Sequence, residues 1–257
     1  MATTNSSQSA AQSVLITGAS RGIGAAAALR CAKAGWAVAV NFARDAAAAE
    51  RVVESIRAGG GLAVAMQADV ADEAQVMALF ARIDAELPPL RGLVNNAGVV
   101  DRPGRVDSIS AARLQRMFAI NVFGSFYCAR EAARRMSTAQ GGAGGAIVNL
   151  SSAAARLGSP GQYVDYAAAK GAIDSFTIGL AKELATEGIR VNAVRPGIIE
   201  TDIHASGGQP DRARELAPLV PMQRAGSADE VAQAILWLMS DQSSYTTGAI
   251  LDVTGGR

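Results

Sequence analysis

The stretch YVDYAAAK, residues 163–170, sets two phenols and one primary amine within about two helical turns. Tyr166 and Lys170 stand four apart, so a helix brings them to one face, about 6 Å apart along its axis. Tyr163 lies seven before Lys170 and can share that side. A phenol with a pKa of about 10 is a poor acid–base group near neutrality, and a nearby ammonium favours its ionised form. Spacing alone leaves open which tyrosine matters.

A second group of residues suits a phosphate. TGASRGIG, residues 17–24, follows a short apolar run and opens a helical segment, the geometry that presents backbone N–H groups to a pyrophosphate. Gly18 permits the tight turn, Gly22 lets a ligand approach the backbone, and Gly24 allows close helix–strand packing. Ser20, Arg21 and Ile23 complete the turn. The spacing is G-x-x-x-G-x-G rather than G-x-G-x-x-G. An NAD site of this kind places an acid at the end of the second strand. Here VNFARD offers Asn41 and Phe42, then Arg44. Arg21 and Arg44 suit a 2′-phosphate, hence NADP. Asp45 is the counter-reading, since a shifted register would carry its carboxylate to the ribose and favour NAD.

These groups need a scaffold. Near-continuous Val, Ile, Leu and Ala runs at 13–18, 37–42, 62–70, 90–98, 145–152, 189–197 and 248–256 suit strands covered on both faces. Helical periodicity occupies 22–34, 45–58, 72–87, 110–137, 162–187 and 227–240. Asp72 with Gln75, and Ser227 with Glu230, have capping-box spacing. Strand and helix alternate throughout, so the expected fold is α/β: a doubly wound, seven-stranded parallel sheet with helices on both faces. With no break in composition, one domain over 13–257 follows a flexible leader over 1–12. The irregular segment Ile198–Met222 is a candidate substrate lid beyond the strand ends.

Bulk composition excludes several classes. The 24 basic and 23 acidic side chains leave a net charge of +1, too little to attract nucleic acid or an anionic membrane by bulk charge. No apolar run approaches the roughly 18 residues of a membrane span. Cys31 and Cys128 are isolated in alanine-rich helical segments and read as buried hydrophobes; they fit a reducing cytoplasm. His204, the sole histidine, has no partner residues for metal or hydrolase chemistry and reads as a lid or pocket-rim residue.

TGASRGIG, NNAG (95–98), YAAAK (166–170) and RPG (195–197), in that order, make the chain resemble the short-chain dehydrogenase/reductase family over residues 13–256. The resemblance implies a catalytic set of Asn121, Ser152, Tyr166 and Lys170, with Ser151 the alternative to Ser152. Tyr163 becomes a pocket wall. The implied cofactor contacts extend to Asp69 and Val70 near the adenine, and to Asn95, Ala97 and Gly98 beside the nicotinamide half. Pro196, Gly197, Ile199 and Thr201 follow the sixth strand, and Tyr166 and Lys170 also reach the nicotinamide ribose.

The implied reaction is NADP(H)-dependent hydride exchange with a small carbonyl or secondary alcohol. Tyr166 acts as acid–base with its pKa lowered by Lys170 and by the positive charge of the oxidised cofactor, Ser152 binds the substrate oxygen, and Asn121 holds a water leading to Lys170. Sugar oxidation of the glucose-dehydrogenase type and reduction of 3-oxoacyl groups on acyl carrier protein are alternative activities. Glu187, where the acyl-carrier subgroup often has arginine, counts against the latter. An NADP-binding redox sensor is the non-enzymatic alternative. Family members pair helices into homotetramers or homodimers, which is the expected assembly.

Overall fold

The computed structural model describes residues 11–203 and 207–257. His204 and most of the expected leader lie outside them. Seven parallel strands form one sheet in the order β3-β2-β1-β4-β5-β6-β9: β1 Ser13–Ile16, β2 Ala37–Phe42, β3 Ala63–Gln67, β4 Leu90–Asn95, β5 Gly145–Leu150, β6 Ile189–Pro196 and β9 Ile250–Val253. Two further strands, β7 Ile199–Glu200 and β8 Gly226–Ser227, pair only with each other. The α/β doubly wound expectation holds.

Strand periodicity explains the two layers. Successive side chains point to opposite faces, so Val14, Ile16, Val38 and Val40 join one apolar core while Leu15, Ala37, Ala39 and Leu93 join the other. The first face is covered by α1 (Gly22–Lys33), α2 (Ala46–Ala58) and a late helix, α9 (Ala228–Met239). The second is covered by α3 (Glu73–Glu86), α5 (Gly124–Met136) and α7 (Val164–Leu184). No helix among the described residues is long and apolar enough to cross a membrane.

The structure changes three details of the sequence reading. The helix expected over 110–137 is divided into α4 (Ala111–Phe118) and α5 by a π turn, Ala119–Phe123, with Asn121 at its centre. One inserted residue per turn leaves no trace in apolar periodicity, and such bulges are frequent at functional sites. The Ser227–Glu230 capping box forms, but Gln75 directs its Oε1 to the Asp69 N–H rather than closing a box with Asp72. Two short helices, α6 (Ala154–Leu157) and α8 (Arg212–Leu216), lie in segments without a periodic signal.

The segment between β7 and β8 contains α8 and most of the expected lid. Its ends are joined where Ile199 pairs with Gly226 and Glu200 with Ser227.

Candidate active site

At the carboxyl ends of β1 to β4, short polar side chains lace the turns together. The Thr17 hydroxyl accepts from the N–H groups of Asn96 (3.0 Å) and Ala97 (2.9 Å). Asn96 Nδ2 donates back to the carbonyls of Thr17 (2.8 Å) and Gly18 (3.0 Å). Asn41 accepts the Gly18 N–H at 3.2 Å and donates to Met66 and Ala68 carbonyls at 3.2 and 3.1 Å. Every one of these bonds joins one strand end to another, so the glycine turn is held by its neighbours.

The turn has the backbone that the glycine spacing anticipates. Gly18 and Gly22 have φ of +61° and +56°, in the left-handed region. A Cβ on Gly24 would stand 2.6 Å from the Gly18 carbonyl oxygen and 2.9 Å from Ala19 Cα, so no side chain fits. No side chain caps α1 and its first turn has no acid, leaving its amino end to face an anion. The turn borders a cleft of about 980 Å³ shared with Ser20, Arg21, Arg44, Asp69 and Val70.

These residues fit a phosphorylated dinucleotide. Arg44 is exposed and has no ion-pair partner among the described residues. Asp45 caps α2, accepting the Ala48 N–H at 2.9 Å. Asp45 also lines the cleft beside Arg44.

Asn95 departs from the expectation. Its amide donates to Ser125 O (3.2 Å) and Asn149 Oδ1 (2.9 Å), and only 4% of the residue is exposed. It ties β4 to β5 and α5 from inside and does not line the cleft. Asn96 lines it instead. An NN pair at a strand end sends alternate side chains to opposite faces, and the motif does not say which one faces out.

The second cavity, about 170 Å³, adjoins the cleft, and Asn96, Gly98 and Thr201 line both. Tyr166, Lys170 and Ser152 converge on it, as do Pro196, Gly197 and Ile199. Lys170 Nζ donates to the Leu150 carbonyl at 2.6 Å and lies 5.7 Å from the Tyr166 ring centre. The two neighbouring serines differ. Ser151 is 3% exposed and donates to the Lys170 carbonyl at 3.2 Å, whereas the Ser152 hydroxyl accepts the Ala154 N–H and hydrogen-bonds Tyr166.

Asn121 occupies the other side of Gly98, where a Cβ would fall 2.8 Å from Asn121 Oδ1 and 3.6 Å from Lys170 Nζ. Its amide donates to the Val99 and Met117 carbonyls, both at 3.0 Å, and accepts the Val99 N–H at 3.2 Å. The side chain thus fastens the loop after β4 to the π turn.

The chain's own groups, taken without the positive nicotinamide of the expectation, favour the protonated phenol. Burial pushes the Tyr166 phenol up to about 12, against the opposing hydrogen bond from Ser152; Lys170 does not bring it below its ordinary value. Burial lowers Lys170 itself to about 8, with Asp174 pulling the other way. Both groups have lost water, and desolvation disfavours the phenolate as well as the ammonium. Cys31 and Cys128 lie outside the site, their thiols pushed up to about 12 by burial.

Sequence reading missed the anchors of this end. Asp165, inside the YVDYAAAK stretch, forms a bidentate bridge to Arg113 of α4 at 2.7 and 3.0 Å, with its side chain fully buried. Tyr163 is 6% exposed and donates to Gln209 at 2.6 Å, while Arg212 lies 5.2 Å above its ring. These pairs join residues 46 to 52 positions apart, which no local pattern links.

Comparison with known proteins gives the family. Residues 18–257 match a family model described as enoyl-(acyl carrier protein) reductase. An uncharacterized oxidoreductase of Escherichia coli (strain K12) is 54% identical over 243 residues, covering 95% of this chain and 98% of that protein. A 3-oxoacyl-[acyl-carrier-protein] reductase of Staphylococcus aureus (strain Mu50) is 38% identical over 95% of this chain and 97% of its own length. Among solved structures, a short chain dehydrogenase from Burkholderia cenocepacia in complex with NADP superposes with a TM-score of 0.87 at 33% identity, covering 96% of this chain and 97% of that one. A mutant short-chain dehydrogenase/reductase of Serratia marcescens gives the same TM-score at 34% identity, covering 96% and 98%. The family match, the relatives and the sheet order together show that the chain is an oxidoreductase of the short-chain dehydrogenase/reductase family.

Proposed function

We propose that the protein reduces a small carbonyl compound to a secondary alcohol with NADPH, reversibly, with Tyr166 as the proton donor. The observation that carries this reading is the meeting of cleft and cavity at Gly98 and Thr201, beside Tyr166, Lys170 and Ser152. A reduced nicotinamide bound there supplies the hydride. The first turn of α1 holds the pyrophosphate, Arg21 and Arg44 the 2′-phosphate, and Lys170 the ribose next to the nicotinamide.

The chain's own groups manage the proton. A phenol whose pKa is about 12 is protonated throughout the neutral range. It can therefore donate to the carbonyl oxygen as negative charge develops there. Ser152 donates a hydrogen bond to the same oxygen, and the Lys170 ammonium, present below about pH 8, stabilises the phenolate left behind. Asn121 holds the π turn and the Val99 loop in place, keeping a path for proton resupply beside Lys170.

Acyl-carrier-bound 3-oxo thioesters form a second substrate class, favoured by the name of the Staphylococcus relative. The pairing of helices expected for a dimer or tetramer is supported by Phe123 and Phe126 of the α5 region, 49% and 45% exposed.

The test is oxidation of NADPH and NADH across ketones, diketones, aldehydes and 3-oxoacyl thioesters, with Tyr166→Phe in parallel. NADPH-selective turnover that falls by about 10³-fold in the variant, with cofactor affinity kept, is expected. Equal turnover by the variant would remove Tyr166 from the chemistry.

A further inference from the structure

Arginines near this end of the sheet are neutralised differently. Arg113 is paired with Asp165, Arg195 with Asp174 and Asp252, and Arg156 with Asp252. Arg212 and Arg257, which both line the cavity, have no carboxylate partner among the described residues.

The half-buried Arg212 donates to two neutral amide oxygens, Gln209 Oε1 at 2.8 Å and Gln162 Oε1 at 2.6 Å, and stacks on Tyr163. Arg257 has a buried Nη1 with no hydrogen-bond partner at all. A guanidinium removed from water without a counter-ion is costly, and a buried donor left unmade costs further. Arg212 and Arg257 are only half-buried, yet two guanidinium groups without a carboxylate partner on one small cavity give it the charge to receive an anion.

We infer that Arg212 and Arg257 select a compact anionic carbonyl substrate, an oxo acid whose carboxylate is held by these guanidinium groups while its carbonyl oxygen faces Tyr166 and Ser152. This inference rests on the carbonyl-reductase reading above and assigns its substrate class. Size supports a carboxylate on a short chain: about 170 Å³ lies below the roughly 300–1,000 Å³ usual for ligand pockets. Planar guanidinium forks match carboxylate geometry. Arg212 is held by Gln162, Gln209 and Tyr163, so its orientation is set before substrate arrives. Arg257 is brought to the cavity by the final turn of the chain, where the Met222 N–H donates to the Gly255 carbonyl at 3.1 Å and Arg156 donates to the Arg257 carbonyl at 3.1 Å.

The test compares charged and neutral partners of one shape: acetoacetate with methyl acetoacetate, pyruvate with methyl pyruvate, and dihydroxyacetone phosphate as the phosphate-bearing ketone. Wild type, Arg212→Met, Arg212→Lys and Arg257→Met are assayed with NADPH. An oxo acid is expected to be the best wild-type substrate. Arg212→Met should lower its kcat/KM by on the order of 100-fold, leave the ester within about threefold and act mainly through KM. The lysine variant should recover part of the loss, and Arg257→Met should lower the acid selectively.

Calorimetric titration of succinate into the protein gives a readout independent of turnover, with binding expected in wild type and lost in Arg212→Met. Preference for the esters, or an equal loss on acid and ester, overturns the inference while leaving the reductase reading intact. Preference for the phosphate ketone overturns the carboxylate assignment. Succinate binding that depends on Arg212, with no turnover of any carbonyl, supports the anion site and instead defeats the reductase reading.

Discussion

The cleft proposed for the nucleotide and the cavity proposed for the substrate share a wall yet are built by opposite means. The cleft is made largely of backbone: a glycine turn, a helix start without a side-chain cap and strand ends tied by Thr17, Asn41 and Asn96. Adding atoms harms it. The cavity is made of side chains from α6, α7, the loop after β6, α8 and the last residue. Removing atoms harms that one. A surface common to many ligands can be specified by backbone geometry, whereas one that selects a substrate needs side chains that can be exchanged.

Substitutions can break or sharpen this contrast. The largest stability effect is expected at Asp165, whose buried carboxylate holds Arg113. Asp165→Asn should cost about 3–5 kcal/mol, read by urea denaturation, because it leaves a guanidinium uncompensated. A loss below about 1 kcal/mol, the range of surface pairs, would show that the α4–α7 junction does not depend on the bridge.

Gly24→Ala comes next. The added methyl meets backbone at 2.6 and 2.9 Å, so a cost of about 1–3 kcal/mol should accompany a sharp loss of NADPH affinity. Unchanged affinity by calorimetry would show that the turn can shift without consequence and would end the contrast between the two regions.

Protonation gives a smaller effect. Lys170, lowered to about 8, is charged below that pH and neutral above it, while Tyr166 keeps its proton. Carbonyl-reduction kcat/KM should therefore fall as pH rises through about 8. A profile flat to the ordinary lysine range, about 10.4, would remove the ammonium from the mechanism. The mildest change is Arg44→Ser, expected to weaken NADPH by about tenfold and NADH hardly at all. Equal weakening of both cofactors would take the 2′-phosphate away from Arg44.

Legibility in the sequence followed the same division. The seven strands were visible because burial on both faces produces continuous apolar runs, and β2 was found to the residue at Ala37–Phe42. The glycine turn was legible because its backbone demands leave few residue types. Tyr166 and Lys170 were legible through helical spacing, with family resemblance choosing between the two tyrosines. What escaped depends on contacts between distant segments: Arg113 with Asp165, Arg212 over Tyr163, and Arg257 at the cavity. Asn95 and Asn96 show the finer limit, for adjacent identical residues take opposite faces and only the fold decides which one a ligand meets. The rise in the Tyr166 pKa was equally hidden, because desolvation follows from the whole surroundings of a group.

The small β7–β8 ladder has a consequence for how such a protein can change over time. By pinning Ile199 to Gly226 and Glu200 to Ser227, it turns everything between them into a side compartment whose entry and exit are fixed. Chain added inside a loop closed at its neck costs little, about 0.6 kcal/mol for each doubling of length. Insertions, deletions and exchanges around α8, away from Thr201 where the loop touches Gly22, can reshape what the cavity accepts while the sheet feels almost nothing. The ladder thus acts as a breakwater, letting the part of the loop around α8 drift on one side of it while the parallel sheet on the other stays still.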